Sequence, residues 1–169
     1  TGYLYGLEYV TQGWDSFFYL VRVNPSTGEL ARVEELDPMV YGQPVGGMAI
    51  DYDGNFYFVG MDAETYATTL VKFTVTGDTV CAPEVGVING YDLYDFSSLV
   101  YSQENKGLFW ANSADGQLVW LDPSDLEQVN AISVGTIGKG GMVSMCLVAQ
   151  PKTEPQVPDV AVTDLSIPR

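Results

Sequence analysis

The sequence contains no histidine among its 169 residues. This absence excludes Ser-His-Asp and Cys-His catalysis, and every zinc site that uses a His ligand. Cysteine is scarce too, because Cys81 and Cys146 are the only two and they form no CxxC pair that could hold zinc. We therefore expect neither a metal site nor a cofactor.

Basic residues are also few. Seven Lys and Arg stand against 22 Asp and Glu, which gives a formal net charge of −15. Such a surface repels phosphate groups, which argues against nucleic-acid binding and against docking on anionic lipid. No apolar run approaches the roughly 20 residues of a membrane span, so we expect no membrane insertion. The chain starts at Thr1 rather than Met, from which we expect that a preceding segment was removed or left out.

What the chain does contain is an internal repeat of about 50 residues. The segments "LVRVNPSTGEL", "LVKFTVTGDTV" and "LVWLDPSDLEQ" begin at Leu20, Leu70 and Leu118, at offsets of 50 and 48. Another segment precedes each of them: "LYGLE", "FYFVG" and "LFWAN". A third comes earlier still: "GMAIDY" and "SLVYSQ" precede the second and third repeats, and "SMCLVA" follows the third. Alternation of apolar and polar residues predicts strands, so each repeat is expected to hold four antiparallel strands.

Four such strands in about 50 residues are typical of one blade of a β-propeller. The turn "NPSTG" at 24–28 and its shorter counterpart "DPS" at 122–124 follow strand ends, whereas the second repeat, with "TVTG", lacks the proline. These motifs resemble the YVTN/NHL-like blades of bacterial secreted or surface β-propeller repeat proteins. The resemblance covers roughly residues 3 to 149. It implies an all-β fold of about three blades, in which a last strand at 141–149 completes the first blade.

Three blades do not easily close a ring, since known propellers have four or more. Two explanations stay open. The chain is part of a larger propeller with missing blades, or two copies combine into a homodimer of six blades. Either way, an uncovered blade flank exposes apolar surface, so we predict association through the blade edges. Residues 150–169 are rich in proline and predict a linker towards a further, Ig-like domain.

Candidate binding residues fall in the loops of one face, because a propeller opens its second-to-third-strand loops and its blade-to-blade loops on the same side. We expect the former at about 9–16, 60–68 and 112–117, and the latter at about 36–46, 86–97 and 135–141. Aromatic rings stack on apolar ligand surface and carboxylates accept hydroxyl hydrogen bonds. The predicted binding residues are Trp14, Asp15, Tyr41, Asp62, Tyr66, Tyr91, Asp92, Tyr94 and Asp95, with Glu64 and Asp115 beside them. No catalytic residue is predicted.

Three functions fit this pattern. The first is a non-catalytic extracellular or cell-surface module, active in adhesion, that binds a carbohydrate or protein ligand through the loop face. The second is part of a carboxylate-based glycoside hydrolase or lyase, for which Asp92 and Asp95 are the candidate pair. The third is a structural or assembly module.

Individual residues carry three further expectations. Trp110 and Trp120 lie inside alternating strands and are expected to fill the space between blades. Cys81 and Cys146 are predicted on different blades, too far apart to bridge. The segment "DYDGN" at 51–55 resembles half a calcium loop, but "FYF" follows where a further carboxylate is needed. We predict instead a hairpin turn with Asp53-Gly54 as its two central residues.

Overall fold

The structure is a computed structural model, and it describes residues 2–44, 46–93, 97–138 and 145–146. These residues form three antiparallel sheets and one short helix. The all-β, blade-like fold predicted from the repeat is confirmed. In the described part of the chain, no helix is long and apolar enough to cross a membrane.

Each sheet corresponds to one repeat, and we number the sheets as blades. Blade 1 has three described strands, β1 (Leu4–Gln12), β2 (Asp15–Val23) and β3 (Leu30–Glu35). Blade 2 has four, β4 (Met48–Ile50), β5 (Phe56–Met61), β6 (Thr68–Thr76) and β7 (Thr79–Val87). Blade 3 has β8 (Ser98–Ser102), β9 (Gly107–Asn112), β10 (Gln117–Asp122) and β11 (Asn130–Thr136). Helix α1 (Pro38–Tyr41) lies between blades 1 and 2.

The blades pack face to face through two apolar cores. We call the side of a blade that points to the preceding blade its front face, and the side that points to the following blade its back face. Between blades 1 and 2, the ring of Tyr5 meets that of Phe56 edge-on, with centroids 4.9 Å apart. Between blades 2 and 3, the rings of Tyr57 and Tyr101 stack at 5.9 Å. The alternation of side chains along each strand thus gives blade 2 two buried faces.

The two tryptophans of blade 3 have different environments. Trp110 is fully buried in the core between blades 2 and 3, where its indole N–H donates to Ser97 Oγ at 2.8 Å. Trp120 lies on the opposite face, half-buried, against Gly107 of its own blade. The inter-blade position is therefore confirmed for Trp110, whereas the described blades place Trp120 outside both cores.

Two predicted loops differ from the structure. The expected loop at 9–16 is only the turn Gly13-Trp14, because β1 extends to Gln12 and β2 begins at Asp15. Gly13 has a φ of 67°, which such two-residue turns need. Conversely, the hairpin at 51–55 spans five residues, since Ile50 pairs with Phe56.

The five-residue turn is organised by Asp51, which is 8% exposed. Its Oδ1 accepts from the main-chain N–H groups of Asp53 and Asn55, at 2.9 and 2.8 Å. Its Oδ2 accepts from Asn55 Nδ2 and the Tyr57 hydroxyl, at 2.8 and 2.9 Å. A turn is present, as predicted, but its predicted length of two residues was wrong. The turn has five residues because the Asp51 carboxylate bonds to Asp53 and Asn55 and keeps residues 51–55 out of the strand pairing.

Some predictions concern residues outside the described part. The strand at 141–149 that was expected to complete blade 1 falls there, except for residues 145 and 146, which have no regular secondary structure. The linker at 150–169 also falls there. Cys81 lies on β7, the last strand of blade 2, and both cysteines are free.

Candidate functional site

A polar cleft of about 480 Å³ opens between blades 2 and 3. Three connections meet there: the β5–β6 loop, the segment from β7 to β8, and the β9–β10 turn. These are the loops that the repeat assigned to one face. The cleft is lined by Tyr66, Ala67, Thr68, Val87, Ile88, Asn89, Gly90, Tyr91, Asp92, Asp115 and Gln117.

Tyr66 forms one rim of the cleft and is 72% exposed. Its φ of 58° places it in the left-handed region, which costs a non-glycine residue about 1–2 kcal/mol. Asp62 holds this conformation, because its Oδ1 accepts from the N–H groups of Glu64 and Thr65 and from the Thr65 hydroxyl. The bonds from Thr65 and then Glu64 hold the pKa of Asp62 below its ordinary value. These bonds therefore hold the main chain of the loop in a conformation that leaves Tyr66 exposed.

Tyr91 forms the opposite wall and is half-buried. Its ring contacts Trp110 in an edge-on arrangement, with centroids 6.3 Å apart. Its main-chain carbonyl accepts from the Thr68 hydroxyl at 2.7 Å, which ties the connecting segment to β6. This wall is thus held by contacts with both blades.

The floor of the cleft carries two carboxylates. Asp115 Oδ2 accepts from Asn112 Nδ2 at 2.9 Å and from the Asp92 N–H at 3.4 Å. Asn112 Oδ1 in turn accepts from the main-chain N–H groups of Ala114 and Asp115. Asp115 therefore positions the segment that carries Asp92, whose own side chain is exposed.

The charge of the cleft restricts its ligand. Two carboxylates line it, and its described lining contains no Lys or Arg. An anionic ligand would be repelled there, whereas hydroxyl and amide groups would find acceptors. Across the described ranges, no group of three or more His, Cys, Asp or Glu side chains is arranged to hold a metal ion.

The other predicted site residues lie elsewhere. Trp14 is fully exposed at the tip of the β1–β2 hairpin, with the exposed Asp15 beside it. Tyr41 is 8% exposed and packs in the core between blades 1 and 2, so its ring is not available at the loop face. Tyr94 and Asp95 lie outside the described residues. The cleft thus unites Tyr66, Tyr91 and Asp92 with the neighbouring Asp115.

Sequence reasoning missed the polar strand ends of this cleft. Thr68 and Gln117 are the first residues of β6 and β10, and Asn89 follows β7. Their positions next to predicted loops were the only available signal. Sequence reasoning also missed a second groove of about 480 Å³. This groove runs along β1, is lined by all residues from Tyr5 to Tyr9, and is more apolar than the cleft.

Comparisons with known proteins support the fold class. No model of a known protein family matches the chain, and no curated protein matches it either. The chain is similar to a crystal structure of a protein from Lactobacillus plantarum, which has a β-propeller-like fold. The identity is 12% and the TM-score 0.54, and the match covers 76% of this chain and 36% of the other. The chain therefore spans about a third of that protein's length.

Proposed function

We propose that the chain is a non-catalytic binding module of an extracellular or cell-surface protein, and that its cleft between blades 2 and 3 binds an uncharged carbohydrate. The observation that carries this proposal is the convergence of two tyrosines, Tyr66 and Tyr91, with Asp92 in one rigid polar cleft. Sugars present apolar C–H faces and hydroxyl rims, which aromatic rings and carboxylates match.

Binding without catalysis accords with the bonding of the two carboxylates. A glycoside hydrolase requires one carboxyl group as acid and a second as nucleophile or base. Asp115 is already bound by the Asn112 amide and the Asp92 N–H, and this bonding suits a positioning role. The hydrolase pair named from the sequence, Asp92 with Asp95, has one member outside the described residues.

A strained aromatic residue at the rim also supports a binding role. The left-handed Tyr66 persists because the Asp62 turn holds it, and strain of this kind concentrates at functional sites. Since the main chain of this loop is held before the ligand arrives, binding costs less ordering of the loop.

The test is binding of neutral and acidic oligosaccharides on a glycan array, followed by calorimetric titration of the best neutral ligand. Tyr66→Ala is expected to weaken that binding about 5- to 30-fold, the loss of roughly 1–2 kcal/mol of stacking. Asp92→Asn is expected to weaken it about tenfold.

The matched control is Tyr52→Ala. Tyr52 is 83% exposed in the turn at the other end of β5, so its removal should leave the affinity unchanged. Failure of every glycan to bind, or binding that tolerates both cleft variants, would contradict the proposal. Capture of a protein ligand that depends on Tyr66 would keep the cleft as the site but replace the carbohydrate.

A further inference from the structure

Within the described residues, one blade packs on the next in the same way twice. The back face of blade 1, with Tyr5 and Leu20, packs on the front face of blade 2. The back face of blade 2, with Tyr57 and Leu70, packs on the front face of blade 3. Tyr5 and Tyr57 occupy equivalent positions of the repeat, and so do Leu20 and Leu70. A back face of this chain is therefore complementary to a front face of this chain.

The back face of blade 3 has the same design. Strand register places Val100, Phe109 and Trp120 side by side across β8, β9 and β10. Leu118 lies on the same face, two residues from Trp120. All four are half-buried and belong to neither core. Ile132, paired with Trp120, extends the face outward and is 48% exposed.

One substitution within the repeat makes this face more apolar than the two that are already packed. The position of Trp120 is occupied by Arg22 in blade 1 and by Lys72 in blade 2, at the repeat offsets of 98 and 48. Arg22 forms an ion pair with Asp78 of blade 2, and Lys72 one with Glu84 of its own blade. Blade 3 replaces the cation with an indole, which gains by leaving water.

The front face of blade 1 also lies outside both cores. It carries Leu4 and Leu30, which are 62% and 52% exposed, with Val23 between them in the strand register. On the same face, the guanidinium of Arg32 lies 4.1 Å from the centre of the Tyr19 ring and bonds to Glu8. Within the described ranges, no further blade follows blade 3 or precedes blade 1.

We propose that the back face of blade 3 docks on the front face of blade 1 of a second copy of this chain. Two copies related by a twofold axis then make two identical head-to-tail contacts. The described parts of the two copies together contribute six blades, within the four to eight that propellers use. The contact extends the in-chain packing of back face on front face, and it does not involve the cleft.

The full chain is expected to sediment and scatter light as a dimer. Trp120→Glu and Leu4→Glu should each give monomers. Each substitution places a carboxylate in both contacts of the dimer, and burying it should weaken the dimer at least about 100-fold. Trp14→Glu, at the hairpin tip, is the control and should stay dimeric. Ile132→Glu, on an already exposed position, serves as a second back-face variant if Trp120→Glu does not fold.

Mixing the two monomeric variants provides the decisive readout. Trp120→Glu keeps the front face of blade 1 intact, and Leu4→Glu keeps the back face of blade 3 intact. The mixture should therefore form a heterodimer through the one contact between these two unchanged faces. A monomeric wild-type chain at high micromolar concentration would overturn the proposal. A mixture that stays monomeric would overturn it too, because an intact back face and an intact front face would then fail to join. A Leu4→Glu variant that still dimerises would do the same, because its dimer would need a contact elsewhere.

Discussion

Asp51→Asn tests whether the buried carboxylate holds the turn between β4 and β5 of blade 2. The substitution keeps the size of the side chain and one acceptor oxygen, which can still accept from the N–H groups of Asp53 and Asn55. It replaces Oδ2 by an amide NH₂ group. Two donors that Oδ2 now serves, Asn55 Nδ2 at 2.8 Å and the Tyr57 hydroxyl at 2.9 Å, then face a donor instead of an acceptor.

The expected loss follows from those two bonds. A hydrogen bond to a charged group contributes about 1.5–3 kcal/mol, and the Tyr57 hydroxyl can recover part of its loss by accepting from the new amide. We therefore expect the free energy of unfolding to fall by about 2–4 kcal/mol. Tyr57→Phe should cost about 1.5–3 kcal/mol, and the double variant less than the sum, because both changes remove the same bond.

The pH dependence provides a second readout. Burial alone would raise the pKa of Asp51, but the bonds from Asn55, Tyr57 and the Asp53 N–H outweigh it and lower the pKa below its ordinary value. A depressed folded-state pKa stabilises the protein above the unfolded-state value, near 3.9, and the contribution is lost as the pH falls through the folded-state value. The stability difference between wild type and Asp51→Asn should therefore stay constant from pH 7 to 5 and shrink below about pH 4.

Urea denaturation followed by tryptophan fluorescence measures these differences. The control is Asp53→Asn, an exposed position where the change should stay within about 0.5 kcal/mol. A loss below about 0.5 kcal/mol for Asp51→Asn, or a difference that grows on acidification, would refute the argument.

Two further pairs of variants use the same assay. Thr69→Val should stabilise the protein by about 1 kcal/mol, because its hydroxyl is buried and has no hydrogen-bond partner in the part of the chain that the structure describes. The neighbouring Thr68→Val should destabilise it by about 1 kcal/mol, since that hydroxyl donates to a main-chain carbonyl; equal effects at both positions would contradict this. Gly86→Ala should cost about 1–3 kcal/mol, because a Cβ there would lie 2.2 Å from the Leu126 carbonyl oxygen. Gly135→Ala, where a Cβ meets open space, should be nearly neutral, and similar losses at the two glycines would count against this packing.

The candidate cleft between blades 2 and 3 could be predicted in part. The repeat assigns each loop to an end of the blade, so the sequence predicts Tyr66, Tyr91 and Asp92 on one face. Tyr41 could not be assigned correctly, because Asp37 caps α1 through the Met39 N–H and the helix places the tyrosine in the core. A position in a predicted loop indicates exposure only when the loop contains no helix or strand.

The hairpin at 51–55 shows the same limit at a smaller scale. The dipeptide Asp53-Gly54 indicates a turn, and the turn exists, with Gly54 at a φ of 85°. The sequence did not reveal that Asp51 would be the residue at its centre, because that role depends on the Tyr57 hydroxyl reaching back from β5.

By itself, the sequence determined the local structure and its repetition. Alternating side chains specify strands, and the recurrence of the same strand pattern about every 50 residues specifies three similar blades. Both can be read along the chain, because neither depends on what packs against a side chain. Only the tertiary structure decided which face of each strand meets another blade, and therefore that Trp110 is core while Trp120 lies outside both cores. Burial depends on what the fold brings opposite a side chain, and the same alternating pattern is compatible with a covered or an uncovered face.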